Sequence, residues 1–110
     1  MKIAIVGSRK LKISNLQDYL PEGVTEIVSG GAVGIDTCAK EYAIKNNLKL
    51  TEFLPNYDRY GHIAPLYRNI EIIDYADEVI ALWDGKSSGT KHVIDKCKLK
   101  NKNITVYKFC

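Results

Sequence analysis

A chain of 110 residues is expected to form one domain, residues 1–110, with a real core. A hydrophobic share of 45% and a charged share of 26% are ordinary for a globular protein and exclude a disordered one. The formal net charge of +3 is too small to argue for nucleic acid as a partner, and the N-terminal apolar run is too short for a signal peptide or membrane span, so cytoplasm is the expected compartment.

Lys2 to Val6 reads as a buried strand, ended by Gly7-Ser8-Arg9. A short helix is predicted next, with Ile13, Leu16 and Leu20 at helical spacing, Ser14 and Gln17 as a capping box, and Pro21 and Gly23 as its stop. A second strand, about Glu26 to Val28, runs into Ser29-Gly30-Gly31-Ala32-Val33-Gly34. The helix that follows carries Ile35, Cys38, Ala39, Tyr42 and Ala43 on one face and ends at Asn46-Asn47. A third strand spans about Lys49 to Leu54. Beyond Pro55 comes a polar, aromatic loop from Asn56 to His62.

The third long helix places Ile63, Leu66, Tyr67, Ile70 and Ile73 on one face, with Arg68 at the edge of that face and able to reach over the sheet end. The clearest strand, Val79 to Trp83, breaks at Asp84-Gly85-Lys86-Ser87-Ser88-Gly89-Thr90. A last helix with Thr90, Val93, Ile94 and Cys97 and a strand from Ile104 to Tyr107 complete the pattern. Five strands alternating with four helices predict an α/β fold: a Rossmann-like, doubly wound, parallel five-stranded sheet with helices on both faces.

In such sheets ligands bind beyond the strand carboxyl ends, where strand order reverses. Three strand ends here combine glycine, serine and charge: Gly7-Ser8-Arg9, Ser29-Gly30-Gly31 and Asp84 to Thr90. In the order 3-2-1-4-5 they lie side by side. A strand, a glycine turn and a helix start at 27–36 aim free backbone N–H groups and a helix dipole at one place, a seat for phosphate. Arg9 can grip a phosphate bidentately. Tyr57 and Tyr60 are candidates for stacking on a base. Asp36 suits either a capping or a chemical role.

Other chemistries find less support. Asp84 to Thr90 is not a P-loop, which disfavours ATP hydrolysis with magnesium, and Gly30-Gly31-x-x-Gly34 is not a dinucleotide fingerprint. Cys38, Cys97 and Cys110 have no paired spacing, and Cys38 and Cys97 fall on apolar helix faces. His62 and His92 lack metal spacing and a nearby nucleophile motif, so no metal is expected. Six of the last twenty residues are lysines (Lys91, Lys96, Lys98, Lys100, Lys102 and Lys108), which reads as the solvated face of the final helix.

Taken together, Ile-Val-Gly-Ser-Arg at 5–9, Ser-Gly-Gly-Ala-Val-Gly-Ile-Asp at 29–36, Tyr-Gly at 60–61, Arg-Asn at 68–69 and Ala-Leu-Trp-Asp-Gly-Lys-Ser-Ser-Gly-Thr at 81–90 resemble the SLOG superfamily. That name joins the Smf/DprA DNA-processing proteins to the LOG phosphoribohydrolases, and the closest look is to small stand-alone YspA/YpsA-related domains. The resemblance implies a domain that binds a nucleotide or nucleotide-derived ligand, often as a homodimer, with no other cofactor. Carried over by position, Gly7, Ser8 and Arg9 line one side of the ligand. Ser29, Gly30, Gly31, Ala32 and Gly34 form the phosphate seat, Arg68 and Asn69 reach in, and Asp84, Gly85, Ser87, Ser88, Gly89 and Thr90 form a second phosphate turn.

The chain departs from the LOG enzymes, which carry Pro-Gly-Gly-x-Gly-Thr followed by glutamates. Here Lys91-His92-Val93 follow the turn, so N-glycosidic cleavage has Arg68 but no glutamate, leaving Asp36 and Asp84 as the remaining catalytic candidates. The turn at 29–36 is closer to the DNA-processing proteins, which act on single-stranded DNA, yet the sequence lacks a strong basic groove. Binding of a nucleotide-type ligand is therefore expected ahead of turnover, with nucleic acid third.

Overall fold

The structure, a computed structural model, describes residues 1–109, so Cys110 lies outside the described residues. The elements are β1 (Lys2–Gly7), a 3-10 turn (Leu16–Tyr19), β2 (Glu26–Ser29), α1 (Ile35–Lys45), β3 (Lys49–Glu52), a single helical turn α2 (Tyr57–Tyr60) running into 3-10 backbone (Gly61–Ile63), α3 (Ala64–Tyr75), β4 (Glu78–Trp83), α4 (Ser88–Leu99) and β5 (Ile104–Lys108). All strand pairings are parallel and the order is β3-β2-β1-β4-β5, as the alternating pattern predicts.

Period-two alternation divides the central strands between two cores. Ile3, Ile5, Ile27, Ile80 and Leu82 turn to one face, under Leu16 of the 3-10 turn and Ile35, Ala39 and Ala43 of α1. Ala4, Val6, Val28, Val79 and Ala81 turn to the other, under Ile72 and Ile73 of α3 and Val93, Ile94 and Cys97 of α4. The chain runs from β1 outward through β2 to β3, then crosses to β4 and β5 on the opposite side of β1. The reversal of order therefore falls between β1 and β4, where their carboxyl ends are stitched together. The Ser8 N–H donates to the carbonyl of Leu82 at 3.1 Å, and the Asp84 N–H donates to Ser8 Oγ at 3.1 Å.

Four local expectations change. The first helix is only a 3-10 turn preceded by Asn15, with no side-chain cap, so the Ser14/Gln17 capping box does not form. Leu16 is its single buried residue, too little apolar surface to hold a longer helix. β3 ends at Glu52 rather than Leu54, although the Phe53 N–H still donates to the Ser29 carbonyl at 2.9 Å. The aromatic loop coils, because Asn56 Oδ1 caps α2 by accepting from the Arg59 N–H.

The largest change is in α3. Its buried face is Ala64, Arg68, Asn69, Ile72 and Ile73, while Leu66 and Tyr67 stay 42% and 43% exposed. The helix is turned so that its polar pair faces inward, since Arg68 and Asn69 find partners there and Tyr67 finds one outside. The Tyr67 ring stacks on Tyr60 with centroids 4.0 Å apart. Three lysines of the C-terminal stretch have partners: Lys91 of α4 pairs with Asp95, and beyond the helix Lys100 pairs with Asp74 and Lys102 Nζ donates to the carbonyl of Ala76. Among the described residues no helix is long and apolar enough to cross a membrane.

Candidate functional site

Above the carboxyl ends of β1, β2, β4 and β5 lies a cleft of about 1160 Å³. It is lined from the first strand end by Gly7 and Arg9, from the second by Gly30, Ala32 and Asp36, from α3 by Arg68 and Asn69, and from the fourth by Asp84, Gly85, Ser87, Ser88, Gly89 and Thr90. The three strand ends singled out by their composition thus meet in one cavity. Ser8, Ser29, Gly31 and Gly34 do not line it; they shape the backbone behind it. Tyr57 and Tyr60 do not line it either: Tyr57 is 57% exposed and Tyr60 is occupied by Tyr67 and by the guanidinium of Arg59.

The two glycine turns have different uses. In the β2–α1 turn three backbone donors are already taken. The Gly31 N–H donates to Ser29 Oγ at 3.3 Å, the Ala32 N–H to Asp36 Oδ2 at 3.1 Å, and the Ile35 N–H to the Ser8 carbonyl at 3.4 Å. Gly34 is there for a steric reason: its φ is +77°, and a Cβ would run into the carbonyls of Ser8 and Arg9. This turn holds α1 against β1, and its Val33, Gly34 and Asp36 N–H groups have no partner among the described residues.

The β4–α4 turn lines the cleft along its whole length, from Asp84 to Thr90. Asp84 Oδ1 accepts from the Lys86 and Ser87 N–H groups, both at 2.8 Å, which fixes the loop. Those two bonds also keep the Asp84 carboxyl below its ordinary range. Ser87 then caps α4, accepting weakly from the Thr90 N–H at 3.5 Å. The N–H groups of Ser88 and Gly89, in the first turn of α4, have no partner among the described residues. Both residues are exposed and both line the cleft.

Arg68 supplies the fixed charge. It is only 9% exposed, and it holds two bonds: Nη1 to the Gly30 carbonyl at 2.7 Å and Nε to Asn69 Oδ1 at 3.1 Å. Its remaining terminal nitrogen has no partner among the described residues, and Arg68 lines the cleft. Asn69 Nδ2 donates in turn to His92 Nδ1 at 3.2 Å, which places the imidazole proton on Nε2 and fixes the Asn69 amide. Asp36 stands nearby, 9% exposed. Burial pushes its carboxyl above the usual value of 3.8, opposed by the Ala32 N–H and the Arg68 charge.

Five cationic side chains (Arg9, Lys10, Arg68, Lys86 and Lys108) line the cleft against two carboxylates, Asp36 and Asp84. Lys10, Leu11, Lys86, Lys108 and Phe109 are lining residues that sequence reasoning missed. The strand-end rule points to the last two once it is applied to β5, the neighbour of β4, whose end carries no glycine to draw attention.

A family model described as DNA recombination-mediator protein A matches residues 1–61, over half of the chain, in agreement with the resemblance carried by the motifs. The matched segment includes Gly7–Arg9 and Gly30–Gly34 and stops before Arg68 and the β4–α4 turn. No curated protein and no solved structure gives a significant match.

Proposed function

We propose, for a chain that belongs to the DNA recombination-mediator protein A family, that its cleft binds the phosphate of a nucleotide or nucleotide-derived ligand. Gly89 carries the reading. It is helical, with no positive φ, and a Cβ there would meet nothing within 4 Å. The fold itself therefore gives no reason for glycine, although glycine in a helix costs about 0.5–1 kcal/mol against alanine. The reason lies in the open cleft: without a side chain, an anion can approach the free N–H groups of Ser88 and Gly89 at the positive end of α4. Arg68, with one terminal nitrogen unpartnered among the described residues, lines the same cavity, and the four other cations raise the local concentration of anions.

Thermal unfolding with nucleoside monophosphates, NAD, ADP-ribose and ribose 5-phosphate at millimolar concentration tests this. A ligand held only by the folded chain raises the midpoint. The expected result is a rise with at least one phosphate ligand, lost in Gly89→Ala and in Arg68→Ala. No rise with any of them overturns the reading.

A second reading, hydrolysis of the N-glycosidic bond of such a ligand, is favoured by one observation. Asp36 and Asp84 line the same cleft with their carboxyls pushed in opposite directions, Asp36 up and Asp84 down. One acid held toward its neutral form and one held charged is the pattern of a proton donor and an electrostatic partner. Water would add across the bond to give free base and ribose 5-phosphate. Asp36→Asn separates the readings: turnover requires that it abolish base release, whereas a pure binding site requires that it tighten anion binding by removing a repelling charge. The family name concerns DNA, so a dT oligonucleotide titrated at low and high salt distinguishes a strand from a mononucleotide.

A further inference from the structure

The cleft has a wall that phosphate binding leaves unused. Leu11, beyond β1, and Lys108 and Phe109, at the carboxyl end of β5, form it. Among the described residues Phe109 is the only aromatic one lining the cavity. It is held in place: its N–H donates to the Trp83 carbonyl at 2.7 Å, and its ring meets Tyr19 edge-on with centroids 5.8 Å apart. Tyr19 is in turn braced edge-on by Tyr107 at 4.8 Å. Phe109 nonetheless stays only half-buried. Lys108 crosses Gly85, where a Cβ would sit 2.7 Å from Lys108 Cε, so the missing side chain at Gly85 lets the end of β5 close against the β4–α4 turn.

Size points the same way. A cavity of about 1160 Å³ is far larger than a phosphate or a sugar phosphate needs, and slightly exceeds the range of roughly 300–1,000 Å³ typical of pockets that hold whole small molecules. A nucleotide anchored by its phosphate at Ser88 and Gly89 has a flat aromatic base left to place. Every base offers a π face, and a half-buried ring braced from behind offers its open side as a surface on which a base can stack.

We infer that Phe109, backed by Tyr19 and flanked by Leu11, is the nucleobase platform of the cleft, so that the site takes whole nucleotides in preference to sugar phosphates. This rests on the phosphate reading above.

Calorimetric titration of the full chain with adenosine monophosphate, uridine monophosphate and ribose 5-phosphate tests it, with Phe109→Ala, Phe109→Leu and Phe109→Trp alongside. The monophosphates are expected to bind tighter than ribose 5-phosphate. Phe109→Ala weakens them by about ten-fold and leaves ribose 5-phosphate unchanged. Phe109→Leu, which keeps apolar bulk against Tyr19, shows the same selective loss, and Phe109→Trp restores affinity. Circular dichroism of each variant establishes that the fold is kept. Equal weakening of all ligands, or no change in the monophosphates with Phe109→Leu, overturns the platform. Ribose 5-phosphate binding as tightly as the monophosphates overturns the platform but leaves the phosphate seat standing. Absence of binding by every ligand overturns the seat, and the platform with it.

Discussion

Arg68 reaches the carbonyl of Gly30 because nothing at Gly30 obstructs it; a Cβ there would lie 2.5 Å from Nη1. Gly30→Ala is therefore expected to displace the guanidinium and, with it, the bond that ties α3 to the end of β2. Gly89→Ala is expected to do the opposite to stability. It removes helix-weakening glycine from an unobstructed position, so chemical denaturation should show a gain of about 0.5–1 kcal/mol while ligand binding is lost. A variant that is more stable yet empty separates a binding role from a folding role. At the outer end of the same relay, burial, aided by Lys96, holds the His92 imidazole below its usual value of 6.5. The folded chain thus prefers neutral His92, and the unfolded chain takes up the proton first as pH falls. Stability is complete above the ordinary value and declines as pH drops from there through the lowered one. Denaturation midpoints at about pH 7.5 and about pH 5.5 should differ, and His92→Gln should reduce the difference.

At the scale of elements, α3 shows where pattern reading fails and why. Its apolar residues, Ile63, Leu66, Tyr67, Ile70, Ile72 and Ile73, are scattered around the helix, so hydrophobic spacing alone selects more than one face. The choice is made by Arg68 and Asn69, whose partners, Gly30 and His92, are distant in sequence. Two truncations check the orientation. Ile73→Ala, at a fully buried position, should cost about 2–5 kcal/mol in denaturant unfolding, and Leu66→Ala should cost far less. The strands, by contrast, were legible as short continuous apolar runs, Ile3–Val6 and Val79–Leu82, each stopped by turn residues. Which amides each turn leaves free was not legible. Ser29 and Asp36 occupy part of the donors of one turn and Asp84 part of those of the other, an outcome of side-chain placement that composition does not encode. The aromatic lining was missed for a related reason: tyrosines in a loop attract notice, whereas Phe109 is one ring at the end of a strand.

Across the whole molecule, charge is unevenly placed. Arg9, Lys10, Lys86 and Lys108 are all exposed at the cleft rim, and exposed charges act through solvent over about 10 Å at moderate salt. Affinity for a phosphate ligand should therefore fall several-fold between low and high salt and then level off. The residue that persists is the share owed to Arg68, Ser88 and Gly89, and calorimetry in a salt series measures both parts. β1 is the first strand in the chain and the middle strand of the sheet, with β4 paired along one side and β2 along the other. A chain folded only as far as β3 leaves the β4 side of β1 bare and lacks both α4 and the wall formed by β5. No half-assembled species can then hold the phosphate, and a transition state that has yet to dock β4 gains nothing from it. Added ligand should lengthen the native lifetime while leaving the refolding rate as it was, which makes the seat a brake on unfolding and not a template for assembly.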